Sequence, residues 1–180
     1  MTNLQSSAPA DQPRDLGHPA IAPTQGAQPI VVVGIDGSAA SDQALLFAAH
    51  EAQLRHAVLR IVASHDVRAG GYGYSAGLNL APYEDGLQQA CESLVKDAAD
   101  TVASNTTGAS VLVETTVVRG RASQVLLEAA KDAALLVVGA RGAGAFTRLM
   151  MGSTCTEVVH HARVPVTVVP GRADEATQPS

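Results

Sequence analysis

Aromatic residues make up only 3% of this 180-residue chain, and tryptophan is absent. Because 46% of the residues are nonetheless hydrophobic, a sizeable core is available, but it must be built mainly from alanine, valine and leucine. Cysteine is equally scarce. Cys91 and Cys155 are the only two, far apart and in no CxxC pair, which excludes a disulfide framework and a cysteine zinc site. A reducing, cytoplasmic compartment fits that usage. Basic residues are outnumbered, 12 Lys and Arg against 17 Asp and Glu, for a formal charge of −5. Clustered positive charge is what phosphate-backbone affinity needs, so nucleic acid is excluded as a partner. No apolar run approaches the about 18 residues of a membrane span. The chain also lacks a Walker-type Gly-x4-Gly-Lys-Ser/Thr, so it is not a P-loop NTPase, and it lacks the SGGxDS-like loop of pyrophosphate-releasing synthetases.

What is present divides into three parts. Residues 1–28 are rich in Pro, Ala, Gln and Ser without an apolar run and read as a disordered leader. They lack the basic start and apolar stretch of a signal peptide. Residues 171–180 are polar and read as a flexible tail. Residues 29–170 remain as one folded domain.

Within that domain strands and helices alternate. Ile30 to Ile35 is a continuous β-branched run, as expected of a central parallel strand covered on both faces. It ends at Asp36-Gly37-Ser38, and the Ala/Leu-rich segment Ala39 to Gln53 follows with helical spacing, capped by Ser38 or Ser41. Further strands are expected at Ala57 to Ser64, Val111 to Val118, Ala134 to Val138 and Val166 to Val169. Helices are expected at Tyr83 to Ser104, Ser123 to Lys131 and Ser153 to Ala162. Gly70 to Pro82 reads as a surface loop, either a lid that brings Tyr72 or Tyr74 near a ligand or a tolerated insertion. Strands separated by helix-length segments predict an α/β fold, a single doubly wound domain with a parallel sheet and helices on both faces. Ligands of such folds sit outside the carboxyl ends of the strands, where the winding reverses.

Two segments meet that description. One is Asp36-Gly37-Ser38. The other is Gly139-x2-Gly142-x9-Gly152-Ser153-Thr154, which follows the Leu135 to Val138 run and leads into a helix. Glycines let the backbone turn sharply and approach a ligand closely. A helix start offers unpaired N–H groups and the positive end of its dipole, and so favours phosphate. The alternative is a long glycine-rich connection in which Ser153 only caps the helix.

The glycine spacing, the opening VVVGIDGSAAS and the closing GSTCTEVVHHARVPVTVV together resemble the universal stress protein family, in its ATP-binding branch. The resemblance covers nearly all of residues 29–170 with one domain and no second repeat. It implies a five-stranded sheet of order 3-2-1-4-5, an adenine nucleotide along the strand carboxyl edge, and a homodimer pairing through the last strand, Val166 to Val169. Carried over position by position, it implies that Gly139, Gly142, Gly152, Ser153 and Thr154 bind the phosphates of ATP. Asp36 would meet the ribose or a nucleotide-bound magnesium, with Gly37 and Ser38 in the same turn. Ala63, Ser64 and Val118 would lie near adenine, and a small residue at 63 leaves room for the base. Arg141 and Arg148 would add positive charge, although the family does not fix them. Arg163 stands where the family often has proline.

The remaining polar residues divide between plain and functional readings. His160 and His161 point about 100° apart on a helix and cannot share a metal as an i,i+4 pair could; they suit a helix C-terminus. His50, His56 and His65 have no ligand-spaced partners and read as surface or packing residues. Cys155 falls in the first turn of a helix, where the dipole lowers a thiol pKa. That makes it either a redox-sensing thiol or a small core residue. No general base stands out beside the glycine loop. The expectation is therefore a nucleotide-binding regulatory protein, with slow ATP hydrolysis, cyclic AMP binding or a nucleotide-free dimeric module as alternatives.

Overall fold

A computed structural model describes residues 28–66, 81–105, 111–140 and 151–171. Nine elements follow in order: β1 (Ile30–Gly34), α1 (Ala39–Arg55), β2 (Val58–His65), α2 (Ala81–Asn105), β3 (Val113–Arg119), α3 (Ala122–Ala129), β4 (Leu135–Gly139), α4 (Ser153–His161) and β5 (Val166–Val169). The strands form one parallel sheet of order β3-β2-β1-β4-β5. Winding starts at β1, runs outward through β2 to β3, then returns to β4 on its other side. The reversal therefore lies between β1 and β4.

Side-chain alternation along each strand splits the core in two. Val31, Val33, Leu59, Ile61, Ala63, Leu135 and Val137 face α1 and α2, while Val32, Val62, Leu136 and Val138 face α3 and α4. Val31, Val32 and Val33 have no exposed surface, which explains the unbroken β-branched run of β1. On α1, Ala44, Ala48 and Ala52 recur every fourth residue and are fully buried. Their methyl groups let the helix close on the sheet without aromatic filling. Arg60, on the outer part of β2, ties three elements together through Glu114 (3.1 Å), Asp132 (3.0 Å) and the carbonyl of Ala129 (3.1 Å). Burial opposes its charge, but these acceptors and carboxylates outweigh that and hold its pKa above the ordinary value.

Several expected boundaries shift. α2 begins at Ala81, inside the segment read as a loop, because Pro82 is tolerated in a first helical turn. β3 begins at Val113 rather than Val111 and has only exposed and half-buried positions, as suits an edge strand. His56 ends α1 in the left-handed conformation with φ 51°, donating its N–H to Gln53 and Ala52 carbonyls, so its surface placement carries a capping role. The expected leader and tail, apart from Gln28 and Gly171, lie outside the described residues, as do Gly70 to Leu80 of the expected loop.

Candidate functional site

The end of β1 is shaped by a tight turn. Asp36 Oδ1 accepts the Ser38 N–H at 3.1 Å, Gly37 takes φ +75°, and Ser38 caps α1 by accepting the Ser41 N–H at 3.2 Å. This leaves the Asp36 and Gly37 side of the turn exposed above the sheet. β4 ends alongside. The Ala140 N–H donates to the Val169 carbonyl at 2.8 Å, and the Gly152 N–H donates to the Ala140 carbonyl at 2.9 Å. The far side of the glycine loop is thereby drawn back to the strand it left. Arg141, Gly142 and Arg148 lie outside the described residues.

Gly152 is the N-cap residue of α4, in extended conformation, and the helix start has no side-chain cap. Ser153, offered by the plain reading as the cap, is instead the first helical residue. The N–H groups of the first turn, from Ser153 to Cys155, precede any intrahelical bond and so face outward for an acceptor. The dipole argument for a reactive Cys155 fails. The residue is 2% exposed within the α3/α4 core, and burial pushes its thiol pKa up.

Gly139 has a different reason from the one its motif suggests. A Cβ there would lie 2.9 Å from the backbone carbonyl carbon of Ala40 and 3.1 Å from its Cβ. The residue is glycine because the start of α1 crosses the end of β4 at contact distance, whatever else approaches.

A cleft of about 910 Å³ opens beside α4, lined by the first turns of both α3 and α4 and by the ends of β2 and β3. Of the sequence-derived site residues it brings together Ser64, Ser153 and Thr154. Asp36, Gly37, Ser38 and Gly139 stand at the neighbouring β1 and β4 ends. Ala63 is 1% exposed, with its methyl in the α1/α2 core, so only its backbone is at the edge. Val118 is exposed and registers opposite Ser64 in β3.

The cleft also holds residues that the sequence did not single out. Arg121 is the N-cap residue of α3, again with no side-chain cap, after Gly120 at φ +148°. Buried Ser123 donates its hydroxyl to Glu157 Oε2, and Arg121 Nη2 lies 3.2 Å from Glu157 Oε1. The Ser123 hydroxyl first, and the Arg121 charge second, hold the Glu157 carboxyl below its ordinary value. Arg119, on the cleft's rim, pairs with Glu84 of α2 at 2.7 Å. Among the described residues no group of His, Cys, Asp and Glu is placed to hold a metal ion, and no helix is long and apolar enough to cross a membrane.

A family model for universal stress proteins matches residues 29–170. The chain is 35% identical over 145 residues to a universal stress protein of Mycolicibacterium smegmatis, covering 78% of this chain and 48% of that protein. It is 36% identical over 148 residues to one of Mycobacterium tuberculosis, covering 82% and 51%. It thus spans about half the length of the curated relatives it matches. Among solved structures, UspA from Lactobacillus plantarum is 27% identical with a TM-score of 0.63, covering 79% of this chain and 97% of that one. A universal stress protein in complex with cAMP is 26% identical with a TM-score of 0.57, covering 81% and 99%.

Proposed function

The chain belongs to the universal stress protein family, and from that membership we propose that it binds ATP and acts as a nucleotide-dependent regulatory protein of the stress response. One observation carries the reading. The uncapped start of α4 is drawn up to the end of β4 beside the Asp36 turn, where the winding reverses. Phosphate oxygens would accept from the first-turn N–H groups and from the Ser153 and Thr154 hydroxyls, with Gly139 at the end of β4 and Arg141 and Gly142 following it. Asp36, in the turn with Gly37 and Ser38, would meet ribose hydroxyls or a nucleotide-bound magnesium. The base would lie toward Ser64, Val118 and the backbone of Ala63. A cleft of about 910 Å³ is large enough for a nucleotide.

Binding is preferred to turnover. Glu157 is a carboxylate on the cleft that a hydrolase could use as a base, but it is engaged by Ser123 and Arg121. A carboxyl held below its ordinary value is a poor proton acceptor near neutrality. We place the protein in the cytoplasm as a homodimer through β5, an edge strand whose only strand neighbour in the described sheet is β4. A second reading is cyclic AMP, favoured by the related structure that contains it.

The test is to denature the purified protein without added nucleotide and identify what is released by mass spectrometry. Near-stoichiometric ATP or ADP supports the proposal, and cyclic AMP shifts it to the second reading. An empty protein that binds neither added ATP nor added cyclic AMP overturns both. Gly152→Val, which adds a side chain where phosphates would approach, is expected to abolish ATP binding with the fold retained; unchanged affinity refutes the phosphate cradle.

A further inference from the structure

Ser153, Thr154 and Glu157 lie three and four residues apart on α4, so they share one face, and all three line the same cleft. A phosphate at the helix start would therefore sit about one helical turn, about 5.4 Å of rise, from the Glu157 carboxylate. That carboxylate is fixed from below by the buried Ser123 hydroxyl. From the cleft side it holds the Arg121 guanidinium through a single contact, with Arg121 and Glu157 side chains 62% and 39% exposed. An ion pair so open to water is weak and readily exchanged. A guanidinium pairs with a phosphate in two parallel hydrogen bonds. Among the described residues the other cation lining the cleft, Arg119, already has Glu84 as its partner.

We propose that Arg121 reads the phosphate charge of the nucleotide and that Glu157 is a built-in competitor, the internal anion that Arg121 leaves when a phosphate arrives. The pair then sets how strongly the site selects phosphorylated ligands over the bare nucleoside. This rests on the nucleotide reading of the same cleft. It assigns opposite signs to two neighbouring residues. Removing the Glu157 charge tightens nucleotide binding, because Arg121 is released and a like charge beside the phosphates is lost. Removing the Arg121 charge weakens it. A purely structural bracket between α3 and α4 gives loss in both cases.

The experiment measures ATP, AMP and adenosine binding by calorimetry for the full chain, Glu157→Gln, Arg121→Gln and the double variant. The amide introduced by Glu157→Gln keeps the volume and still accepts from Ser123, and thermal unfolding of each variant checks the fold. Glu157→Gln is expected to tighten ATP about two- to fivefold, the size of an exposed charge interaction, with a smaller gain for AMP. Arg121→Gln should weaken ATP about tenfold, as for a charge-assisted contact reduced by exposure. Adenosine, with no phosphate, should be unmoved by either change. ATP affinity that is unchanged or lowered in folded Glu157→Gln overturns the proposal while leaving nucleotide binding intact. Equal shifts for adenosine and ATP overturn it too. A parent protein that binds none of the three ligands removes both this inference and the function on which it rests.

Discussion

Gly139→Ala isolates the packing between the start of α1 and the end of β4. The added Cβ would meet Ala40 at 2.9 Å from its carbonyl carbon and 3.1 Å from its carbonyl oxygen. These are backbone atoms, so no rotamer change relieves the contact, and either α1 or the end of β4 must move. β4 is held there by the bond from the Ala140 N–H to Val169 and by the bond from Gly152 to Ala140. Ala40 is also close-packed on Gly171, where a built Cβ would lie 3.4 Å from the Ala40 Cβ. Overpacking of this kind costs about 1–3 kcal/mol. Gly34→Ala is the internal comparison. Its Cβ would come within 2.7 and 2.9 Å of the two Leu126 methyl groups, which end a buried side chain and can shift more readily than backbone. Urea denaturation of the three proteins should place Gly139→Ala lowest, with an unchanged slope and a midpoint below that of Gly34→Ala. Equal midpoints for Gly139→Ala and the parent, or the reverse order of the two variants, would refute the reasoning.

Gly86 lies exposed in α2 with nothing within 4 Å of its Cβ position, so Gly86→Ala is expected to stabilise the chain by about 0.5–1 kcal/mol, read as a higher denaturation midpoint. Cys155 should react with an aromatic disulfide reagent more slowly than half-buried Cys91 in the native protein and equally fast in denaturant; fast native labelling at Cys155, located by peptide mapping, contradicts its place in the core. Glu157 contributes to stability as the ionised form, because its folded pKa is depressed. That contribution is complete above the unfolded carboxyl pKa of about 4.3 and is lost as pH falls through the folded value. The midpoint gap between the parent and Glu157→Gln should accordingly narrow on acidification below that range, and a gap that widens contradicts the assigned sign.

The architecture was legible where burial is extreme. β1 and β4 are covered on both faces, so Ile30 to Val33 and Leu135 to Val138 show as unbroken apolar runs, and the helices between strands follow from spacing. Strand order did not come from periodicity, which carries no information about neighbours; it came through the family resemblance. The edges were less legible because β3 is only half-buried and its ends carry no strong pattern. The cleft was half legible. Ser153 and Thr154 belong to a local motif, but Ser123 and Arg121 reach Glu157 across 34 and 36 residues. No spacing rule links a serine at one helix start to a glutamate in the second turn of another helix. Cys155 was left between two readings for a related reason. Its place in a helix start suggests a lowered pKa, and the packed structure decides for the small core residue, whose burial raises it.

The glycine motif itself joins two physical requirements in one spacing. Gly139 is needed by the protein, since α1 leaves no room for a Cβ at the end of β4. Gly152 stands at an uncapped helix start, tied to Ala140 by one backbone bond. A sequence pattern cannot separate these roles, because both demand the same residue. Substitution can. A methyl at 139 acts on the folded state with or without nucleotide, so its cost appears in denaturation of the empty protein. A bulky side chain at 152 is expected to act on the bound state, and its cost appears in affinity. Should both variants lose stability equally in the absence of nucleotide, Gly152 is also a packing glycine, and the ligand reading must then stand on the N–H groups of α4 and on Arg121 alone.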